Sequence, residues 1–520
     1  VSNNLIFPYA AASGELQMPW RNAIAVGRAA DLLRADLLEH LLWLQHEVGY
    51  RYCRFHAVFH DDMAVAVRRP DGQIAYQWHL VDKIYDSLLA LGLKPFVELN
   101  SMPAALASGT QAMFYYQMNV TPPKDYAEWG ALVGAFAGHL VERYGLAEVR
   151  QWYFEVWNEP NLAGFWSGTK EDYWQLYGYA ARALKKIDPQ LRVGGPASSK
   201  ANWIADIIEH CTANGVPLDF VSTHLYSQDE YVEFNDRQSS PHRLGEFFGD
   251  HFRNVQKLVA ASARPDLEIH WTEWNSLSAT SSAAVDWSTN VYVDNLYAAS
   301  FIVRNCIELD ATCQTMCYWV ASDIFEEGGI ANSPFSGTYG LLTIHGIPKA
   351  SANAFRFLRR MTGKHIPLKA SAPPAGCGLY AVREGHILRV LAWNNQPLEI
   401  KTPATWREQL QLPVENAASH LLVASRIRAG AGSAYETWCE LGKPHNLSPA
   451  EEALLRQHSE PEQTAQVVSV QDGHLILPIT LPPHEVVLLE LRPRDQTLMP
   501  RNARSADITE WDKAMSEKSR

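Results

Sequence analysis

A chain of 520 residues is longer than one hydrophobic core usually supports, so two domains are the starting expectation. With 47% hydrophobic and 20% charged residues the composition is that of a globular protein, and no apolar stretch reaches membrane-spanning length. The 45 basic residues are dispersed among 57 acidic ones, a net charge of −12 that argues against nucleic acid or another polyanion as partner.

From residue 20 to about 360, short β-type runs alternate with amphipathic helical ones. The predicted strands are 22–28, 50–59, 94–100, 150–160, 192–198, 220–226, 268–275 and 314–323. Helical periodicity lies between them, as in "ADLLEHLLWLQHEVG" (35–49), "DYAEWGALVGAFAGHLVERYG" (125–145) and 288–308. Eight strands, each followed by a helix, are the plan of a (β/α)8 barrel. An open doubly wound sheet competes, but no glycine-rich phosphate loop follows the first strand. After Gly363 the period becomes two, and the pairs Glu384-Gly385 and Asp472-Gly473 read as hairpin turns. The expectation is a barrel over 14–360 and a smaller all-β sandwich over 361–497. An N-terminal segment, 1–13, precedes them, and 498–520 is a polar tail.

Seven cysteines, at 53, 211, 306, 313, 317, 377 and 439, form no disulfide framework and suit a reducing compartment. The opening "VSNNLIFPYA" lacks a basic stretch followed by an apolar core. A cytoplasmic location is the expectation, with a periplasmic or secreted one left open if the chain begins further upstream. The 17 tryptophans and 21 tyrosines are suited to packing on sugar rings, although most must serve the core.

In such a barrel the functional groups stand where strands end at the C-terminal face. The second predicted strand offers Arg54 and His56, the fourth Glu155, Asn158 and Glu159, and the sixth His224 and Tyr226. The seventh offers Glu273, and the eighth leads through Trp319 to Asp323, Glu326 and Glu327. Two carboxylates on different strands facing one mouth are what cleavage of a glycosidic bond needs: one protonated for the leaving oxygen, one ionised for the anomeric carbon. Glu159, among Trp157, Pro160, Phe165 and Trp166, is placed to hold a proton; Glu273, within reach of Arg54 and Tyr226, to stay ionised. Glu159 is therefore read as general acid/base and Glu273 as nucleophile. Glu155 shares strand parity with Trp157 and Glu159 but lies deeper, so it and Arg54 are read as supporting residues. The string "HAVFHDD" (56–62) has metal-type spacing, yet the chemistry calls for no metal and no cofactor, and none is expected.

The strings "WYFEVWNEPN", "HWTEWN", "RYCRFHAVFHDD" and "SDIFEEGG…GTYGLL…GIPKA" resemble glycoside hydrolase family 39, in the clan of retaining (β/α)8 glycosidases, and its bacterial β-xylosidases in particular. The resemblance implies removal of β-1,4-linked D-xylose from the non-reducing ends of xylo-oligosaccharides, with retention. It also implies a sandwich often completed by a few N-terminal residues. By motif match, Asn158 meets the sugar 2-hydroxyl, and His56, His224, Tyr226, Glu326 and Glu327 line the pocket. Trp319 is a candidate platform under the ring. Ala57 stands where the family usually has glycine, and Ser336 where histidine is common. Three rivals stay open: an arabinosidase side activity, an α-L-iduronidase-like enzyme, and a carbohydrate-binding protein without catalysis. The expected partner is a xyloside, with neither nucleic acid nor membrane, and a homo-oligomer is compatible with the sequence.

Overall fold

The structure is a computed structural model that describes residues 14–227, 229, 247–277, 291–325, 327–329, 331–367, 373–398, 400–414, 419–471 and 473–494, together with the backbone of 4–6. Eight parallel strands close into a barrel: Ala23–Arg28, Tyr52–His56, Lys94–Leu99, Tyr153–Val156, Arg192–Ser199, Phe220–Tyr226, Glu268–Asn275 and Thr315–Tyr318. They pair in chain order, and Tyr318 of the last meets Ile24 of the first. Each predicted strand coincides with one of them, and a helix follows each. The seventh, "EIHWTEWN", is buried at every position but its first, because helices cover its outer face and side chains fill the inner one. Helix boundaries follow local chemistry: Thr169 and Asp172 form a capping box at the start of Lys170–Ile187, and Lys185 and Lys186 occupy its last turn.

Aromatic residues close the N-terminal end of the barrel. Phe96, Tyr153 and Phe220 form one buried cluster with His270 against them, and the Arg192 guanidinium lies 3.6 Å from the Tyr153 ring centroid. Polar side chains therefore gather at the opposite end. Two of the irregularities there bear on the readings above. The fourth strand ends at Val156, because Trp157 takes a φ of 72° and turns its ring out against Trp129 and Trp166. The shared parity read for Glu155, Trp157 and Glu159 is thus corrected. On the seventh strand Trp271 lies opposite Thr223, but Glu273 lies opposite His224, so Thr272 is an extra residue. Trp271 and Trp274 pack outward on Phe252 and Phe248, while Thr272 and Glu273 both face in.

Beyond the barrel, seven strands form one sheet and three another. The smaller sheet pairs Asn4–Ile6 with Trp406–Pro413 and that strand with His474–Leu481, so N-terminal residues do join the sandwich. Between the sheets lie Val390, Leu410, Leu477, Val487 and Leu489, while the alternate residues Val486 and Leu488 enter the barrel's own core. Val486–Leu489 is therefore apolar on both faces. The hairpin read at Glu384-Gly385 joins Cys377–Glu384 to Ile387–Asn394. Of the pair read at Asp472-Gly473, Asp472 lies outside the described residues. Gln471 and His474 on either side exchange both backbone hydrogen bonds, at 2.9 and 2.8 Å, as a hairpin turn does. The strands then part: Glu462–Ser469 pairs with Ser419–Ala429 in the large sheet, and His474–Leu481 belongs to the small one. Two helices, Tyr435–Glu440 and Pro449–His458, were not foreseen; the second carries its signature in the Ser448–Glu451 capping box with proline at its first position. Among the described residues no helix is long and apolar enough to cross a membrane. The seven cysteines are unpaired.

A buried lysine fixes the segment after the eighth strand. Lys349 Nζ lies 2.5 Å from Asp294 Oδ1 and 2.8 Å from Asp323 Oδ2, and donates to Thr338 O at 2.9 Å. Asp323 thus belongs to this clamp and not to the mouth. Lys349→Met leaves two carboxylates buried without a cation, and the expected loss is about 3 kcal/mol of stability. Thermal unfolding checks this, and an unchanged melting temperature would contradict it.

Candidate active site

Arg54 organises the C-terminal mouth of the barrel. Its side chain is fully buried, and each nitrogen has an acceptor. Nε donates to Glu155 Oε2 at 2.7 Å, Nη1 to Glu273 Oε1 at 2.7 Å and Nη2 to Asn158 Oδ1 at 2.8 Å, with Glu98 Oε2 at 2.5 Å from Nη2. A planar fork suits this task, and a point charge would not. Burial disfavours the Glu155 carboxylate, but Arg54, His224 and Ser222 outweigh it and hold its pKa below the usual range. Because Asn158 Oδ1 accepts from Arg54, its amide NH2 is the group left to donate to a ligand.

Glu159 and Glu273 stand together beside His224. One oxygen of each carboxylate and a ring nitrogen of His224 all lie within 4.8 Å of one another. Glu159 Oε1 is 3.0 Å from His224 Nδ1, and Glu273 Oε2 is 3.6 Å from the same nitrogen. The environments differ. Glu273 receives Arg54 on one oxygen and the Tyr226 hydroxyl on the other, at 2.9 Å. Burial pushes Glu159 up to about 7, although Ser199, His56, Arg54 and Lys200 all favour its anion. Its backbone is held by the Glu159 N–H donating to Ala197 O at 2.8 Å.

His56 completes one wall. Its Nδ1 donates to both Glu98 oxygens at 2.9 and 3.0 Å, and its Nε2 lies 3.6 Å from Glu327 and 3.7 Å from Glu273. Burial opposes a cation there, yet Glu98, Glu327 and Glu273 override it and push the imidazole up to about 10. Trp319, 1% exposed, sets its ring 4.6 Å from that of His56, and Phe114 stacks on His56 at 6.2 Å. Glu326 lies outside the described residues. In "HAVFHDD" the two histidines turn to different carboxylates, His56 to Glu98 and His60 to Asp62 at 2.8 Å. Ala57 has a φ of 67°, a left-handed conformation that explains why glycine is common there. Ser336 donates to Ser333 O at 2.9 Å.

Sequence reasoning missed Glu98, Ser199, Thr272 and Phe114. Glu98 carried a signal: a carboxylate inside the apolar strand "KPFVEL" needs a buried partner, as Glu155 did. The bulge that brings Thr272 and Glu273 to one face has no counterpart in residue type.

The sequence profile of glycosyl hydrolases family 39 matches residues 5–476. The chain is 36% identical over 489 residues to a β-xylosidase of Caldicellulosiruptor saccharolyticus, an alignment covering 93% of this chain and 97% of that protein. It is 34% identical over 493 residues to a β-xylosidase of Geobacillus stearothermophilus, covering 92% and 94%. Its fold matches the crystal structure of a monomeric β-xylosidase from Caulobacter crescentus CB15 with a TM-score of 0.83 at 31% identity, covering 95% of this chain and all of that one. The chain belongs to glycosyl hydrolases family 39.

Proposed function

We propose that this glycoside hydrolase is a retaining, exo-acting β-xylosidase that releases D-xylose from the non-reducing ends of β-1,4-xylo-oligosaccharides. The substrate follows the β-xylosidases to which it is similar over nearly its whole length. Glu159 is the acid/base and Glu273 the nucleophile. The observation that carries this reading is the approach of the two carboxylates to within 4.8 Å, in opposite electrostatic surroundings. That figure is an upper bound on the separation of one oxygen of each carboxylate; it accords with the roughly 5–5.5 Å of retaining pairs and lies below the roughly 6.5–9.5 Å of inverting ones.

Glu273 attacks the anomeric carbon as the bond to the leaving oxygen breaks, and that oxygen takes the proton of Glu159. The Glu159 carboxylate then removes a proton from water, which displaces Glu273 and restores the β-configuration. Asn158, its carbonyl fixed by Arg54, donates to the 2-hydroxyl, a contact that strengthens in the transition state. His56, His224, Tyr226, Glu327 and Trp319 line the xylose pocket. Turnover of p-nitrophenyl β-D-xyloside, with NMR observation of β-xylose as first product, tests the reading; α-xylose as first product would overturn it.

The protonated acid sets the pH response. With Glu159 pushed up to about 7, kcat/KM on xylobiose is expected to fall about tenfold per pH unit above that value. A pH–rate profile checks this; a rate unchanged to pH 9 would assign the proton to another group.

A further inference from the structure

Thr272 faces inward because the bulge on the seventh strand gives it no register partner on the sixth. Its side chain is wholly buried and touches two residues of the site. The hydroxyl donates to Glu155 Oε1 at 2.8 Å, and His224 Nε2 lies 3.1 Å from the same oxygen. A hydroxyl has one proton. Glu155, ionised against Arg54, can only accept it, so the oxygen turns a lone pair towards His224.

We propose that Thr272 is a positioning residue for the acid step: by accepting from His224 Nε2–H it fixes the imidazole tautomer and leaves Nδ1 bare, an acceptor for the proton on Glu159. The inference rests on the reading of Glu159 as acid. The chain of hydrogen bonds runs from Glu159 O–H to His224 Nδ1, from Nε2–H to Thr272 and from Thr272 O–H to Glu155. In the other tautomer Nδ1–H would donate to the Glu159 carboxylate and stabilise the anion, which is the wrong state for an acid. After proton transfer the bare nitrogen offers that anion nothing, so the carboxylate remains a strong base towards water.

The surroundings of the pair are consistent with a neutral ring. Burial holds His224 down at about 4 against the pull of Glu273, with Arg54 Nη2 3.5 Å from Nε2 opposing a cation. Glu159 is faced by Ser199 at the end of the fifth strand and Lys200 after it, Tyr226 on the sixth and Asp229 after it, Glu273 on the seventh, Glu327 after the eighth, and Arg54 and His56 on the second.

The test is Thr272→Val, which keeps the shape and removes the hydroxyl, with Thr272→Ser as control. Without the oxygen a hydrogen on Nε2 has no acceptor, and the ring instead carries its hydrogen on Nδ1, which faces the Glu159 carboxylate. The alkaline limb of kcat/KM on xylobiose is expected to move down by about one pH unit, a loss of about tenfold on that limb. Turnover of 2,4-dinitrophenyl β-xyloside, whose leaving group needs no proton, should change by less than about twofold. Thr272→Ser should match the parent. An unmoved limb, or equal losses on both substrates, would overturn the proposal. Nitrogen-15 NMR of the unmodified protein reads the tautomer without any variant: Nε2 protonated and Nδ1 bare supports it, and the reverse overturns it. Failure of the acid assignment itself is distinguishable, since Glu159→Gln would then leave xylobiose hydrolysis intact.

Discussion

Glu273→Ala is expected to lose at least about 10⁴-fold in kcat/KM, since removing a nucleophile removes the covalent path itself. The cavity it leaves lies beside Arg54 and Tyr226, which attract an anion. Azide entering there, with an activated aryl xyloside, should give the inverted α-xylosyl azide. Glu159→Ala should behave differently. Its first step survives on a dinitrophenyl leaving group and fails on xylobiose, and azide should intercept the covalent intermediate to give the retained β-xylosyl azide. Chiral analysis of the two azides assigns both roles at once, and the reverse pattern would exchange them.

Arg54→Met should be the most destabilising change in the site. It strands Glu155 and Glu273 and leaves Glu98 with His56 alone, since all three carboxylates share that one guanidinium. Breaking a buried pair by removing one partner costs about 3–5 kcal/mol, and three carboxylates lose theirs here. The variant's surviving stability should rise as pH falls from neutral. Carboxylates buried without a cation bind protons more tightly folded than unfolded, so acid favours the folded state. Arg54→Lys keeps a charge but cannot span Glu155, Glu273 and Asn158 together, and about 100-fold loss of kcat/KM with smaller loss of stability is expected. Urea unfolding at several pH values, alongside kinetics, tests both. Parental stability in Arg54→Met would remove the basis for treating the guanidinium as the hub.

The barrel was legible because its strands are buried on both faces and read as continuous apolar runs separated by amphipathic helices. The site was legible for a related reason: Arg54, Glu155 and Glu273 are charges inside such runs, and burial demands that they meet. Their contacts at 2.7 Å answer that demand. What the residues did not announce is local backbone geometry. The left-handed turn at Trp157 and the extra residue at Thr272 each cancel alternation at the point where it was being counted. The sandwich shows the same limit at longer range. Period-two patterning finds the strands from Glu462 to Pro493, but turn residues do not tell whether the two strands leaving a tight turn stay paired or part into two sheets with compatible faces.

The central claim is that Glu159 and Glu273 act on one anomeric carbon as acid and nucleophile. Incubation with 2,4-dinitrophenyl 2-deoxy-2-fluoro-β-xyloside tests it most directly, because fluorine slows both steps while the leaving group spares the first, so the intermediate accumulates. Peptide mass spectrometry should find one fluoroxylosyl group, on Glu273. A sugar attached to Glu159, or rapid turnover of xylobiose by a protein that never carries the label, would contradict the account.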